Sequence, residues 1–344
     1  MNLDKLIRDN IKRMQPYSSA RDEFKGLSKD YIFLDANENP NPSIINRYPD
    51  PKQLKLKEVL GQQKGVQVEN IILGNGSDEI LDLIFRAFCE PGIDAVISLP
   101  PTYGMYNVLA NTNDIEIKEV PLESNFQPNV SEILKLNAAN TKLLFLCSPN
   151  NPSGNCFETS RVEELLKRFN GIVVLDEAYI DFTLDKIWLS RLNDYPNLII
   201  TQTLSKAYGM AGIRLGIAYA SKEIISILNR IKPPYNVNQL TQEKAIEVLN
   251  QKDVFDKQLK TLLSERLILI KELGNISYVK KVYPSDANFL LVKVDNATKR
   301  YNQLIENGIV VRNRTKQFLC ENCLRITIGT PNENKILINT LKEL

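Results

Sequence analysis

The sequence predicts an α/β fold, with a large domain built on a mainly parallel sheet flanked by helices and a smaller α+β domain beside it. Three observations predict it. Short apolar, β-branched runs recur along the first part of the chain, stretches with apolar residues three and four apart separate them, and the pattern changes beyond Lys232-Pro233-Pro234. Runs that are apolar throughout and alternate with helices belong to βα units, whose parallel sheet is covered on both faces.

The strand candidates are, in order, Asn70 to Leu73, Ala95 to Leu99, Lys142 to Leu146, Ile172 to Leu175 and Asn197 to Ile200. Between them, Asp78 to Cys89 and Arg161 to Phe169 carry helical periodicity. Lys232-Pro233-Pro234 stops a helical pattern, because proline lacks the N–H and fixes φ. Gln239 to Leu273 reads as one long polar-faced helix. Three more strand candidates follow, Asn288 to Val294, Ile309 to Arg312 and Leu324 to Ile328, with a helical stretch among them. The expected division is an N-terminal segment 1–30, a large domain 31–235 and a small domain 236–344.

Composition removes whole classes of function. The 344 residues carry 43 basic and 41 acidic side chains, so no electrostatic footprint for nucleic acid or an anionic membrane is expected. The N-terminus lacks the apolar stretch of a signal peptide, and no segment reaches the ~18 to 20 apolar residues of a membrane span, so a cytoplasmic protein is expected. The histidine count is zero, which removes Ser-His-Asp and Cys-His hydrolases and histidine-ligated metal sites. Five cysteines read as reduced thiols. Cys320 and Cys323 have Cys-x-x-Cys spacing but no second pair, so no metal is expected.

Catalysis must then run on lysine, tyrosine, carboxylate or a cofactor. Thr203-Leu204-Ser205-Lys206-Ala207 follows an apolar strand, and Arg214 comes eight residues after the lysine. A lysine that holds an aldehyde cofactor covalently needs an amine that can be neutral and a nearby grip on the cofactor's phosphate. Thr203 and Ser205 supply hydroxyls and Arg214 a planar bidentate cation. Gly74-Asn75-Gly76-Ser77-Asp78-Glu79 opens a helix after a strand, with Ser77 as its expected N-cap and free N–H groups that attract an anion.

Asp176 follows the Ile172 to Leu175 run, which places a carboxylate over the crevice at the end of a parallel strand. It suits an ion pair with a protonated pyridine nitrogen, although an acid there also suits a helix cap. Tyr179 and Asn151 suit donors to a phenolic oxygen on the same ring, and Asn151-Pro152 is also an ordinary turn. Tyr103, in Pro100-Pro101-Thr102-Tyr103-Gly104, is either an aromatic stacked on that ring or a packed loop residue.

Ser-Pro-Asn-Asn-Pro-Ser-Gly from Ser148, Asp-Glu-Ala-Tyr from Asp176, Leu-Ser-Lys-Ala from Leu204 and Ala-Gly-Ile-Arg-Leu-Gly from Ala211 stand in the order and rough spacing of fold-type-I aminotransferases dependent on pyridoxal 5′-phosphate (PLP). The chain resembles that family over nearly its whole length. Gln15 to Arg21, Leu34 to Pro40, Asn46 to Asp50 and Cys323 to Thr330 resemble the histidinol-phosphate aminotransferase family in particular. Ser153 stands where a threonine is usual.

The resemblance implies Lys206, Asp176 and Tyr179 as catalytic residues, and Gly76, Ser77, Asp78, Tyr103, Asn151, Thr203, Ser205 and Arg214 as cofactor contacts. It implies a homodimer in which Tyr48 reaches the phosphate of the neighbouring subunit, while the N-terminal segment packs with the small domain and the partner. Arg325, Arg312, Tyr17 and Asn37 match substrate-side positions. The implied reaction is transamination between L-histidinol phosphate and 2-oxoglutarate, giving imidazole acetol phosphate and glutamate. Aromatic amino acid aminotransferases and threonine-phosphate decarboxylase share most cofactor residues and are the alternatives. An aminotransferase-like effector domain of a transcription regulator is disfavoured, because about 30 residues before Tyr31 are too few for a DNA-binding module.

Overall fold

The computed structural model describes residues 3–17, 31–43, 45–183 and 188–344. Of the expected N-terminal segment 1–30, residues 1–2 and 18–30 lie outside that description, as does the part of the Gln15 to Arg21 motif beyond Tyr17.

The first sheet has seven strands among the described residues: β1 Ile71–Asn75, β2 Ala95–Ser98, β3 Glu116–Glu119, β4 Thr141–Cys147, β5 Ile172–Asp176, β6 Leu198–Thr203 and β7 Leu215–Ala220, in the order β1-β7-β6-β5-β4-β2-β3. β3, β2, β4, β5 and β6 pair in parallel, and β7 runs antiparallel between β6 and β1. Both faces are covered, as the apolar runs require. Leu144 and Leu146 of β4 join one buried cluster while Leu143 and Phe145 join the other. Each such side chain contributes roughly 1.5 to 3 kcal/mol by leaving water.

Two of these strands are absent from the sequence reading. β3, Glu-Ile-Lys-Glu, is an edge strand with no buried residue, so it lacks the apolar signal of the others. β7 begins immediately after Arg214, inside a stretch read as a turn. Its Gly216 pairs with Gly74 of β1 and leaves room for the Ser77–Phe88 helix, since a Cβ at 216 would lie 2.3 Å from the Ser77 backbone nitrogen.

The later part of the chain forms a second, antiparallel sheet of β8 Val279–Val282, β9 Phe289–Val294, β10 Arg312–Asn313 and β11 Cys323–Thr327, in the order β10-β11-β9-β8. Its own apolar cluster includes Leu290, Val292, Leu324 and Ile326. The single long helix expected over Gln239 to Leu273 is two helices, Gln239–Leu249 and Lys252–Gly274, separated at Asn250 and Gln251. Uniform polar and apolar spacing conceals that break, because neither glycine nor proline marks it. A smaller cluster of Tyr179, Phe182, Ala207, Ala287 and Phe289 joins the two sheets beside the Lys206 loop.

Strand register brings the ends of β4, β5 and β6 together: Cys147 lies opposite Asp176, and Asp176 opposite Thr201. β1 ends on the same edge, since Asn75 pairs with Leu215 at the start of β7 and Thr203 pairs with Gly216. The loops that follow carry Asn151, Tyr179, Lys206 and Ser77 into one crevice, where ligands of open α/β sheets bind. No helix among the described residues is long and apolar enough to cross a membrane.

Candidate active site

Ser77, Asp78, Tyr103, Asn151, Asp176, Tyr179, Thr203, Ser205, Lys206 and Arg214 line one cavity of about 140 Å³ at this edge. The convergence unites all the proposed cofactor contacts of the large sheet except Gly76, whose backbone abuts Arg214 at the cavity wall: a Cβ on Gly76 would lie 2.7 Å from Arg214 Nη2.

Gly76, not Ser77, is the N-cap of the Ser77–Phe88 helix, and it makes no side-chain cap bond. At φ +81° the position favours glycine, and a side chain there would have to displace the Arg214 guanidinium. Arg214 Nη2 stands 4.0 Å from Asp78 Oδ2, and Nη1 donates to the Ala211 carbonyl at 3.3 Å. Thr203 Oγ1 accepts from the Ser205 N–H at 3.1 Å and lies 3.0 Å from Ser205 Oγ. A helix start, two hydroxyls and a guanidinium thus face one volume, a donor set suited to a phosphate.

The Lys206 loop is fixed by its backbone: Leu204 N–H donates to Leu215 O at 3.3 Å, Met210 N–H to Leu204 O at 3.1 Å and Gly209 N–H to Lys206 O at 3.1 Å. Lys206 Nζ lies 5.6 Å from the Tyr179 ring centroid. Solvent reaches the residue, yet desolvation of its amine, then the cations Arg325 and Arg214, hold its pKa below the ordinary lysine range. Asp176 and Asp78 pull the other way. A lysine with a lowered pKa supplies more of the neutral amine that a nucleophile or general base requires.

Asp176 is buried, which raises its carboxyl pKa. Three donors oppose that effect: Tyr106 O–H to Oδ2 at 2.8 Å, Thr201 Oγ1 to Oδ1 at 3.2 Å and Ala178 N–H to Oδ1 at 3.2 Å. The cradle favours the anion and fixes its orientation. Tyr106 and Thr201 were not singled out from sequence. Tyr106 sits on the Met105–Thr112 helix three residues after Tyr103, where it reads as an apolar core position, and its ring does stack on Phe145 at 4.8 Å.

Tyr103 donates its hydroxyl to Asp78 Oδ1 at 3.0 Å and meets Tyr106 edge-on at 5.6 Å. Buried Tyr179 packs edge-on against Phe289 at 5.1 Å; burial first raises its pKa, while Arg325 and Arg314 lower it. Asn151 is buried, and its Oδ1 accepts from Arg325 Nη1 at 2.5 Å, which leaves the amide N–H groups as donors. This bond joins the second sheet to the cavity. Arg325 stands opposite Arg312 in the β10–β11 pair and lies 5.2 Å from the Phe289 ring centroid. Ser153, in the place of the usual threonine, holds the turn by accepting from Asn150 Nδ2 at 2.8 Å and donating to Asn155 Oδ1 at 2.6 Å.

The remaining candidates lie elsewhere within one chain. Tyr48 and Asn37 line a separate cavity of about 460 Å³, where the half-exposed Tyr48 ring stacks on Tyr235 at 4.5 Å. Exposed Tyr17 borders another cavity of about 990 Å³ beside Lys57. Cys320 and Cys323 are buried free thiols, Cys320 in the turn before β11 and Cys323 at its first position.

The lining of the Lys206 cavity fits PLP by its chemistry: a donor set suited to a phosphate, a carboxylate held by three donors, and an amine. Residues 33–341 match the model of the aminotransferase class I and II family. A histidinol-phosphate aminotransferase of Flavobacterium psychrophilum is 61% identical over 343 residues, covering 100% of this chain and 99% of that protein. One from Parabacteroides distasonis is 54% identical over 343 residues, covering 100% and 99%. Among solved structures, the histidinol-phosphate aminotransferase of Sinorhizobium meliloti in complex with pyridoxal-5′-phosphate has a TM-score of 0.79 at 25% identity, covering 86% of this chain and 82% of that one. The L-threonine-O-3-phosphate decarboxylase of Porphyromonas gingivalis has a TM-score of 0.73 at 25% identity, covering 87% and 90%.

Proposed function

The chain belongs to the class I and II aminotransferases, and on that premise we propose that it catalyses PLP-dependent transamination between L-histidinol phosphate and 2-oxoglutarate in histidine biosynthesis. The products are imidazole acetol phosphate and glutamate. The observation that carries this reading is the convergence of Lys206, Asp176 and the Ser77, Ser205 and Arg214 donors on one cavity, with Arg325 reaching in from the second sheet.

PLP, when bound, supplies an aldehyde that captures the amine and a ring that withdraws electrons from the substrate Cα. Ser77, Thr203, Ser205 and Arg214 would hold its phosphate. Asp176, favoured as the anion by Tyr106, Thr201 and the Ala178 N–H, would pair with the ring nitrogen and favour its protonated form. Tyr179 and Asn151 would donate to the phenolic oxygen, and Tyr103 would flank the ring. Lys206 would hold the aldehyde, and its amine, when free, would be placed to carry a proton to and from the substrate Cα. Arg325 and Arg312 pair with the phosphate tail of one substrate and the carboxylate of the other.

The same reading makes the protein a cytoplasmic homodimer. Tyr48 lines a cavity with exposed Ile45 and Leu240, an apolar surface suited to a second copy, and would reach the partner's phosphate from there. Asn37 and Tyr17 reach the substrate side by the same route, and 31–235 and 236–344 act as large and small domains.

The test incubates the holoenzyme with L-histidinol phosphate and 2-oxoglutarate and follows glutamate. Lys206→Ala loses borohydride-trapped cofactor by mass spectrometry and at least about 10³-fold in turnover. Near-normal turnover in that variant removes the mechanism. The decarboxylase reading, supported by the Porphyromonas gingivalis structure, instead requires carbon dioxide release from L-threonine phosphate.

A further inference from the structure

Beyond Arg312 and Arg325, a third arginine reaches the same face of the second sheet. Arg312 lies directly opposite Arg325, and the Arg314 N–H continues the ladder by donating to the Cys323 carbonyl at 2.8 Å. Residues two apart on a strand project to one face, and opposite residues share it. Arg312, Arg314 and Arg325 therefore stand on one side of the β10–β11 ribbon. The Arg325 bond to Asn151 shows that this side looks into the cleft.

Arg314 Nε is buried and has no hydrogen-bond partner. Among the described residues, no carboxylate forms an ion pair with any of these three guanidiniums. Burial first, then the charges of its neighbours, lowers the pKa of Arg314, and Arg325 responds in the same way with Arg314 as its leading charged cause. Three mutually repelling cations without a protein counter-charge are an arrangement completed by an anion of more than unit charge. A phosphate monoester carries about −1.5 to −2 and three strong acceptor oxygens, whereas a carboxylate carries −1 and two.

We propose that Arg314 is a specificity residue that biases the substrate anion subsite toward a phosphate dianion over a carboxylate. The proposal rests on the transamination reading above and adds to it the group that separates the two substrates sharing the site. Arg312 and Arg325 serve both anions; Arg314 matters chiefly for the more highly charged one.

The test compares wild-type holoenzyme with Arg314→Gln and Arg314→Lys. In the glutamine variant the ratio of kcat/KM for L-histidinol phosphate to kcat/KM for glutamate falls about 10- to 100-fold, mainly through KM for the phosphate substrate. The lysine variant recovers part of the ratio, because it keeps the charge. Inorganic phosphate, as a competitive inhibitor of the glutamate half-reaction, weakens in parallel with the loss in the glutamine variant. An unaltered ratio in the glutamine variant, whether both substrates suffer equally or neither does, overturns the assignment, as does unaltered phosphate inhibition. A wild-type enzyme that turns over glutamate but not L-histidinol phosphate overturns the underlying reading instead, so the two failures are distinct.

Discussion

Tyr106→Phe tests whether the buried hydroxyl tunes Asp176. The ring is fully buried and stacked on Phe145, and phenylalanine preserves that packing while deleting one donor, 2.8 Å from Asp176 Oδ2. A hydrogen bond to a charged group contributes about 1.5 to 3 kcal/mol. Its loss therefore raises the carboxyl pKa further. The sign adds to the existing shift, because burial already pushes Asp176 upward and Tyr106 is the foremost opposing influence. The active form needs the anion, so the acid limb of the kcat profile moves toward neutrality while the alkaline plateau is kept. The assay is the pH dependence of the single-turnover glutamate half-reaction, with thermal melting as the packing control. An acid limb in its wild-type place, in a variant that melts like wild type, refutes the claim that this hydroxyl tunes the carboxylate.

Three further outcomes are expected. Asp176→Asn retains cofactor, measured by equilibrium dialysis, but loses about 10²- to 10⁴-fold in the half-reaction; a retained rate removes the electron-withdrawing role from this residue. Glu177, buried with its oxygens accepting from Gln202 at 2.8 Å and the Trp188 N–H at 3.3 Å, has a pKa pushed up to about 7 by desolvation, from 4.5. Its folded pKa exceeds the unfolded one, so the native state binds more protons between about pH 4.5 and 7, and stability falls across that window by about 3 kcal/mol from this group. Urea unfolding of Glu177→Gln lacks that part of the slope, and identical slopes in both proteins count against the shift. For Tyr48, mixing an inactive Lys206→Ala chain with an inactive Tyr48→Ala chain restores about a quarter of activity if sites are shared in a dimer; no restoration argues against a shared site.

Much of the candidate site was legible before any folding, because its parts are local. Thr203, Ser205 and Lys206 lie within one turn, Asp176 and Tyr179 within another, and the apolar strands before them announce where those turns sit. The missing parts share a cause. Tyr106 and Thr201 look like core residues because they are core residues, and only the β5–β6 register and the packing of the Met105–Thr112 helix bring their hydroxyls to Asp176. Arg314 reads as one more surface cation until the ribbon pairing sets it beside Arg325.

By itself, the sequence determined the alternation that builds a parallel sheet, the chemistry excluded by the absence of histidine, and the lysine, carboxylate and arginine types required. Tertiary structure alone decided that β7 runs backward between β1 and β6, that Gly76 and Gly216 make room for the helix start, and how the charges of Asp176 and Lys206 are tuned. The physical reason is range. Apolar periodicity and turn chemistry act between residues a few positions apart, whereas desolvation, strand register and the field of one arginine on another depend on partners far away in the chain.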